Sequence, residues 1–187
     1  MVKIALIVGS TRPGTKAPAV TQWMYGLAKK HGGAEFEVVD IADFHLPLLD
    51  EPIPPAAGQY SQPHTKAWAA KIAEYDGFIF VTPEYDHGVP GALKNAIDFL
   101  YGEWNNKAAG FVSYGSMGGV RAVEQFRAIM AHLAIADVQQ QVAFSLFTDF
   151  EDFSKFKPDP RHEEEATVLF DQVIAWAQAL KPLRANQ

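Results

Sequence analysis

Three segments of the chain combine glycine with side chains suited to binding anions or flat rings. The first covers residues 9–16 (GSTRPGTK) and mixes serine and threonine hydroxyls with an arginine and a lysine. Hydroxyls and the backbone N–H groups at a helix start bind phosphate oxygens, and arginine grips a phosphate through two parallel hydrogen bonds. We therefore predict a phosphate site in this segment, loop 1, formed by Ser10, Arg12, Thr15 and Lys16.

The other two glycine-rich segments lie later in the chain. Loop 2 covers residues 83–91 (PEYDHGVPG), in which an aromatic ring is followed by glycines that let a ligand approach the backbone. Loop 3 covers residues 114–119 (YGSMGG), and its glycines expose N–H groups ahead of a predicted helix. Both segments suit contact with a planar ligand.

Loop 1 lacks two known nucleotide-binding signatures, and their absence limits which nucleotide it can bind. A Walker A loop ends in lysine followed by serine or threonine, whereas loop 1 ends in the reverse order, Thr15-Lys16. A shift of one residue rotates a helical side chain by about 100°, so this lysine would miss the β- and γ-phosphates. The dinucleotide signature G-x-G-x-x-G is also absent, because Thr11 replaces its second glycine.

Short apolar runs that alternate with helical patterns position these loops. Strands are predicted at residues 2–8, 35–40, 77–82, 107–113 and 138–144. Helices are predicted at about 17–30, 65–74, 90–100, 120–133 and 163–180, with irregular segments at 44–63 and 149–160. This alternation is typical of an α/β fold in three layers, with a doubly wound, five-stranded parallel sheet in the order 2-1-3-4-5.

The predicted sheet brings the three loops to one place. In an open parallel sheet, ligands bind outside the carboxyl ends of the strands, at the point where the strand order reverses. That point lies between strands 1 and 3, and the loops follow strands 1, 3 and 4. One phosphate site beside two glycine-rich loops suits a flat mononucleotide, and FMN fits, with its phosphate on loop 1 and its ring edge on loops 2 and 3.

Composition limits the remaining possibilities. The 187 residues suit a single domain, 1–187, and the absence of cysteine excludes disulfides, thiolate nucleophiles and Fe–S clusters. A net charge of −6 argues against nucleic-acid binding, and no apolar run approaches the about 20 residues that span a bilayer. We therefore expect a cytoplasmic protein with no nucleic-acid or membrane partner.

The three loops resemble those of the NADPH-dependent FMN reductase family, which includes flavin, quinone, chromate and azo-dye reductases. The most specific motif is residues 83–98 (PEYDHGVPGALKNAID), and the likeness covers residues 2–145. It implies a flavodoxin-like fold, bound FMN, NADPH or NADH as hydride donor, a small acceptor such as a flavin or quinone, and a homodimer or homotetramer. The resemblance implies that Ser10, Arg12 and Thr15 contact the phosphate of FMN. It also implies that the flavin ring contacts Pro83, Glu84, Tyr85, Asp86, Gly115, Ser116, Gly118 and Gly119.

The chain departs from the family pattern within loop 2. Asp86 stands where the family usually has asparagine, and Gly88 stands where the family often has serine. A carboxylate lacks the amide's donor, so a family contact made by that side chain would be lost, whereas a backbone contact would survive. The helix after loop 2 carries Lys94, Asn95 and Asp98, which we interpret as supporting loops and subunit contacts. For Tyr101 and Trp104, an oligomer interface and core packing both stay open.

Other functions fit parts of the sequence. A flavodoxin-type electron carrier or a non-catalytic FMN-binding module would share the fold, although such carriers lack an arginine in the phosphate loop. A remote alternative is a serine hydrolase in which Ser116, Asp149 and His162 follow the chain order of a triad, but Tyr114 stands where the nucleophile elbow needs glycine. In the reductase, the flavin performs the chemistry, and His87 is a weak candidate for a proton donor.

Overall fold

The computed structural model describes residues 1–184. The parallel strands are β1 (Lys3–Val8), β2 (Glu35–Asp40), β3 (Gly77–Pro83), β4 (Ala108–Gly115) and β5 (Ala136–Ser145). The α-helices are α1 (Ala17–His31), α2 (Pro63–Ala73), α3 (Gly91–Asp98), α4 (Val120–His132) and α5 (Arg161–Arg184). Two short strands, β6 (Phe150–Glu151) and β7 (Lys155–Phe156), form a separate antiparallel hairpin.

The five long strands form one parallel sheet in the order β2-β1-β3-β4-β5, which confirms the predicted fold class and topology. Every residue of β3 and β4 is buried. This explains why both strands appear in the sequence as apolar runs, since helices cover both faces of the sheet. Strand side chains alternate between the two faces, so each strand contributes to both cores.

Each face of the sheet carries its own hydrophobic core. On the face covered by α1 and α5, Ile4 and Leu6 pack with Ile79 of β3. On the other face, α2, α3 and α4 cover a core that is rich in aromatic rings, among them Phe78 and Trp104 with ring centroids 4.9 Å apart. An oligomer interface and core packing were both open for Trp104. It is fully buried in this core, so the structure shows core packing.

Two segments predicted as irregular contain short elements. Residues 44–63 include a 3₁₀ turn at Pro55–Ala57, and another, Ile41–Phe44, precedes them. Residues 149–160 contain the β6–β7 hairpin, whose turn residues Asp152 and Phe153 have φ of 49° and 53°. Sequence patterns did not reveal this hairpin, because its turn carries neither the glycine nor the asparagine that normally marks such turns.

Within residues 1–184, none of the helices is both long and apolar enough to span a membrane. The organisation of residues 1–187 as a single domain stays a prediction, and residues 185–187 lie outside the described part of the chain.

Gly9 permits a close approach of the end of β1 to β3. Its N–H donates to the carbonyl of Val81 at 2.8 Å. A Cβ at this position would lie 2.7 Å from that carbonyl oxygen and 2.8 Å from a methyl group of Leu93. Only glycine therefore fits where the chain leaves β1 and enters loop 1.

We expect Gly9→Ala to destabilise the protein by about 1–3 kcal/mol, because the added methyl group overpacks against backbone that cannot move aside. Gly26→Ala is the matched control, since a Cβ at this position in α1 meets nothing within 4 Å. Alanine in a helix interior is about 0.5–1 kcal/mol better than glycine, so this variant should be slightly more stable. Urea unfolding midpoints measure both effects, and equal midpoints would contradict the proposed role of Gly9.

Candidate functional site

Loops 1, 2 and 3 meet above the carboxyl ends of β1, β3 and β4, which are neighbours in the sheet. Two hydroxyl–hydroxyl hydrogen bonds tie them together. Ser10 Oγ lies 3.2 Å from Tyr85 Oη, which joins loop 1 to loop 2. Thr15 Oγ1 lies 2.9 Å from Tyr114 Oη, which joins loop 1 to loop 3. The structure thus brings together the three segments that the sequence singled out.

Loop 1 folds as a tight turn that leads into α1. The N–H of Thr15 donates to the carbonyl of Arg12 at 3.0 Å, and Gly14 has a left-handed φ of 71°. The N-cap residue of α1, Lys16, makes no side-chain cap, and Thr15 Oγ1 accepts the N–H of Ala17 at 3.4 Å. The positive end of the helix dipole therefore faces loop 1, and such an end favours a bound anion.

The donors around loop 1 suit a phosphate group. Hydroxyls come from Ser10, Thr15, Tyr85 and Tyr114, and the Arg12 guanidinium lies 5.8 Å from the Tyr85 ring centroid. Burial raises the pKa of Tyr114 to about 12, so its hydroxyl keeps its proton at neutral pH. Loop 1 contains no acidic residue. A set of neutral hydroxyls with the cations Arg12 and Lys16 and a helix end matches the acceptor-only chemistry of a phosphate.

Loop 2 is a two-residue hairpin turn. Tyr85 and Gly88 exchange two backbone hydrogen bonds of 2.9 Å each, and Asp86 and His87 between them have φ of 49° and 66°. Turns of this kind need positive φ at both central positions, which asparagine, aspartate and glycine tolerate best. The backbone therefore explains an aspartate at position 86 without a ligand contact. The side chains of Asp86 and His87 are both exposed.

Glu84 joins loop 2 to the start of α4. Its carboxylate accepts the N–H groups of Arg121 and Ala122 at 3.1 and 3.2 Å, and Nε of the Arg121 guanidinium donates to it at 2.6 Å. The side chain is only 6% exposed. Burial alone would raise the pKa of Glu84, but the bonds from Arg121 and Ala122 outweigh burial and lower it. The carboxylate is thus engaged within the protein, and Arg121 is a site residue that sequence reasoning missed.

Loop 3 depends on its paired glycines. Gly118 and Gly119 have φ of 72° and 74°, and a Cβ at Gly119 would lie 2.8 Å from Cβ of Ser113. Ser113 Oγ donates to the carbonyl of Gly118 at 2.6 Å, and the N–H of Gly118 donates to the carbonyl of Gly115 at 3.1 Å. The loop is therefore a compact, pre-formed turn at the start of α4.

The hydrolase alternative does not assemble at loop 3. His162 and Asp149 do pair, with His162 Nε2 3.0 Å from Asp149 Oδ1. However, Nδ1 of His162 lies 2.7 Å from Glu165 Oε2, and the ring is only 1% exposed. Both ring nitrogens face carboxylates, so neither can accept a proton from Ser116, which is exposed at the tip of loop 3.

The polar residues of α3 support neighbouring segments. Asn95 accepts the N–H of Leu49 at 2.9 Å and donates to the carbonyl of Pro47 at 2.7 Å. Lys94 pairs with Asp98 at 2.6 Å along the helix. These contacts agree with the interpretation of the motif as structural.

Tyr114 is a further residue that was not among the predicted binding residues, although its place at the end of β4 was a usable signal.

We expect Glu84→Gln to loosen the joint between loop 2 and α4, because glutamine loses the charge that pairs with Arg121. The free energy of opening at the N–H groups of Arg121 and Ala122 should fall by about 1–3 kcal/mol. Hydrogen exchange of those amides measures the change at pH 7. Because the folded pKa of Glu84 lies below its ordinary value, the wild-type stabilisation is present at neutral pH and is lost as the pH falls through that pKa.

Glu124→Gln is the control for this variant, since Glu124 is exposed and makes an ion pair of 3.6 Å with Arg127. Exposed pairs contribute about 0–1 kcal/mol, so this change should leave the two amides protected. Equal protection in wild type and Glu84→Gln would refute the role given to the carboxylate.

Comparison with known proteins identifies the family. The model of the NADPH-dependent FMN reductase family matches residues 2–149. An NAD(P)H-dependent FMN reductase from Nectria sp is 37% identical over 190 residues, covering 97% of this chain and 90% of the relative. A quinone reductase from Pseudomonas putida is 32% identical, with 94% of both chains covered. The flavoenzyme NAD(P)H:(acceptor) oxidoreductase from Paracoccus denitrificans shares the fold, with a TM-score of 0.73, 21% identity, and 96% and 98% coverage. The chain therefore belongs to the NADPH-dependent FMN reductase family.

Proposed function

We propose that this protein binds FMN at loops 1, 2 and 3 and works as an NAD(P)H-dependent reductase of flavins, quinones or similar small acceptors. Family membership supplies the activity and the cofactor. The main support for this binding site is that the Ser10–Tyr85 and Thr15–Tyr114 hydroxyl pairs join the three loops. These pairs lie at the edge of the sheet where ligands of such folds bind.

Loop 1 would hold the phosphate of FMN. Ser10 and Thr15 would donate their hydroxyl protons, and Arg12 would supply the cation and a pair of parallel donors. Lys16 immediately precedes α1 and adds positive charge at the same helix end. Tyr85 and Tyr114 would keep these hydroxyls in place, since each is bonded to one of them.

Loops 2 and 3 would hold the flavin ring. FMN, when bound, supplies the hydride and electron chemistry, and the protein supplies orientation and electrostatics. Residues 83–86 would line the ring, with Glu84 acting through its backbone because its carboxylate is engaged by α4. Ser116 and Gly119 would offer N–H groups near the positive end of α4. The N–H of Gly118 is engaged by the carbonyl of Gly115, and Gly115 itself pairs with Ser145 in the ladder between β4 and β5.

No side-chain acid or base is required by this proposal. His87, the histidine of loop 2, lies exposed at the tip of the turn. Solvent that reaches this turn can supply the proton.

The absence of cysteine agrees with a cytoplasmic location, which we propose for the enzyme.

We also propose that the enzyme is a homodimer or homotetramer with a two-fold interface. A groove of about 450 Å³ lies between residues 54–56, α3 and α4, and its lining is mainly apolar. Leu48 and Ile53 are exposed on the adjacent segment. The Lys94–Asp98 pair and Tyr101 line the same groove. Such a face offers apolar groups to bury and both charges to pair across a two-fold axis, where the same surface of two copies meets.

The reductase proposal is tested by adding FMN to the purified protein and recording the visible spectrum before and after anaerobic NADPH. We expect a bound-flavin band that bleaches when NADPH is added. Bound flavin that stays oxidised would instead indicate an electron carrier or a non-catalytic binding module. Absence of bound flavin would overturn the proposal.

We expect Arg12→Ala to weaken FMN binding roughly 10- to 100-fold, which corresponds to the loss of a charge-assisted contact of about 1.5–3 kcal/mol. Binding of riboflavin, which has no phosphate, should change little, so the ratio of the two dissociation constants isolates the phosphate contact. Lys30→Ala removes an exposed cation from the far end of α1 and is the matched control. An equal loss of FMN and riboflavin binding would show that Arg12 does not contact the phosphate.

A further inference from the structure

Two exposed aromatic rings lie beside loop 3. Phe147 is 66% exposed and Phe153 is 60% exposed, and their centroids are 5.6 Å apart in an edge-to-face arrangement. We call them the aromatic pair. Large apolar side chains that touch each other in solvent form a small apolar patch, and such patches are often binding surfaces.

The backbone of Phe153 is unfavourable for a bulky residue. Asp152 and Phe153 form the turn of the β6–β7 hairpin in the left-handed region, and the N–H of Ser154 donates to the carbonyl of Glu151 at 3.0 Å. Asparagine or glycine would adopt this conformation at lower cost, whereas an aromatic residue at positive φ is an outlier. Strain of this kind concentrates at functional sites, so the ring at position 153 calls for a functional explanation.

The hairpin that carries Phe153 is firmly anchored. Phe150 and Phe156, one on each strand, pack with their centroids 5.1 Å apart against the core under α1 and α5. The buried carboxylate of Asp149 accepts the N–H groups of Ser145 and Asp159 at 2.9 and 3.1 Å. The aromatic pair therefore projects from a rigid base and does not belong to a loose loop.

One serine connects the aromatic pair to the candidate flavin site. Ser145 Oγ accepts the N–H of Phe147 at 3.2 Å and donates to the carbonyl of Ser116 at 3.5 Å. Next to it, the N–H of Leu146 donates to the carbonyl of Gly115 at 2.9 Å. The backbone that carries Phe147 is thus bonded to the backbone that we assign to the flavin ring, and Phe153 reaches this segment through its ring contact with Phe147.

We propose that the aromatic pair is an apolar contact surface for planar aromatic electron acceptors, and that Phe147 and Phe153 thereby determine acceptor preference. This inference rests on the proposed function. Aromatic rings contact flat ligands with little loss of side-chain entropy and without a polar requirement.

Local charge favours an acceptor over the pyridine nucleotide at this surface. Lys155 and Lys157 of the hairpin both pair with Glu151, at 3.3 and 2.6 Å. The carboxylate of Asp152, next to Phe153, is exposed. The two lysines and the carboxylates of Glu151 and Asp152 balance, so the hairpin offers no net cation to the phosphates of NADPH, and a neutral quinone needs none.

The test is Phe153→Asn in the FMN-loaded enzyme. Asparagine suits the left-handed turn, so the urea unfolding midpoint should equal or exceed that of the wild type, and a loss of function cannot be attributed to misfolding. Steady-state rates are compared for a planar naphthoquinone and for ferricyanide, which has no ring. We expect the KM for the naphthoquinone to rise about three- to tenfold, with the ferricyanide rate and the KM for NADPH unchanged.

Trp176→Gln is the matched control, because Trp176 is another exposed aromatic residue and lies on α5 near Ala177, which packs at the opposite, amino end of β3. It should leave all of these constants unchanged. Sedimentation of each variant monitors the oligomeric state.

Several results would overturn the inference alone while the reductase activity stands. One is an unchanged KM for the naphthoquinone. A second is a rise in the KM for NADPH instead, which would assign the aromatic pair to nucleotide binding. A third is a change in oligomeric mass, which would assign the pair to a subunit contact. Failure of the wild-type protein to bind FMN or to oxidise NADPH would overturn the proposed function and this inference with it.

Discussion

The close packing of β1 against β3 at their carboxyl ends determines where a ligand can bind. The N–H of Gly9 bonds to the carbonyl of Val81, and no side chain fits between the two strands at this point. Loop 1 therefore leaves the sheet directly beside loop 2, within reach of the hydroxyl of Tyr85. From there the chain enters α1, whose start faces the same space. The phosphate site thus follows from one tight contact between neighbouring strands.

The electrostatics of the site depend on where the carboxylate of Glu84 is directed. Glu84 lies in loop 2, but its charge is neutralised by Arg121 and by two N–H groups at the start of α4. The three loops consequently present neutral hydroxyls, backbone N–H groups and the guanidinium of Arg12. This arrangement favours an anionic cofactor, and it also holds loops 2 and 3 in a fixed relation before any ligand arrives.

The family model covers the three loops and ends just before the β6–β7 hairpin, while the relative from Nectria sp aligns over 97% of the chain. The family model matches residues 2–149, which include all three loops. The β6–β7 hairpin begins directly after this region, and it carries one of the two exposed phenylalanines beside loop 3. A common flavin site with a separate, adjoining aromatic surface would let cofactor chemistry stay constant while acceptor preference varies.

The sequence by itself determined the strands, the sheet order and the three glycine-rich loops, because buried parallel strands and tight turns leave local patterns of apolar residues and glycine. Individual ligand contacts of the site residues stay predictions. Sequence did not reveal that Glu84 pairs with Arg121, that Trp104 is buried, or that residues 150–156 form a hairpin. Each of these depends on contacts between distant residues or on a turn without its usual glycine, and only the tertiary structure decides which partner a side chain meets.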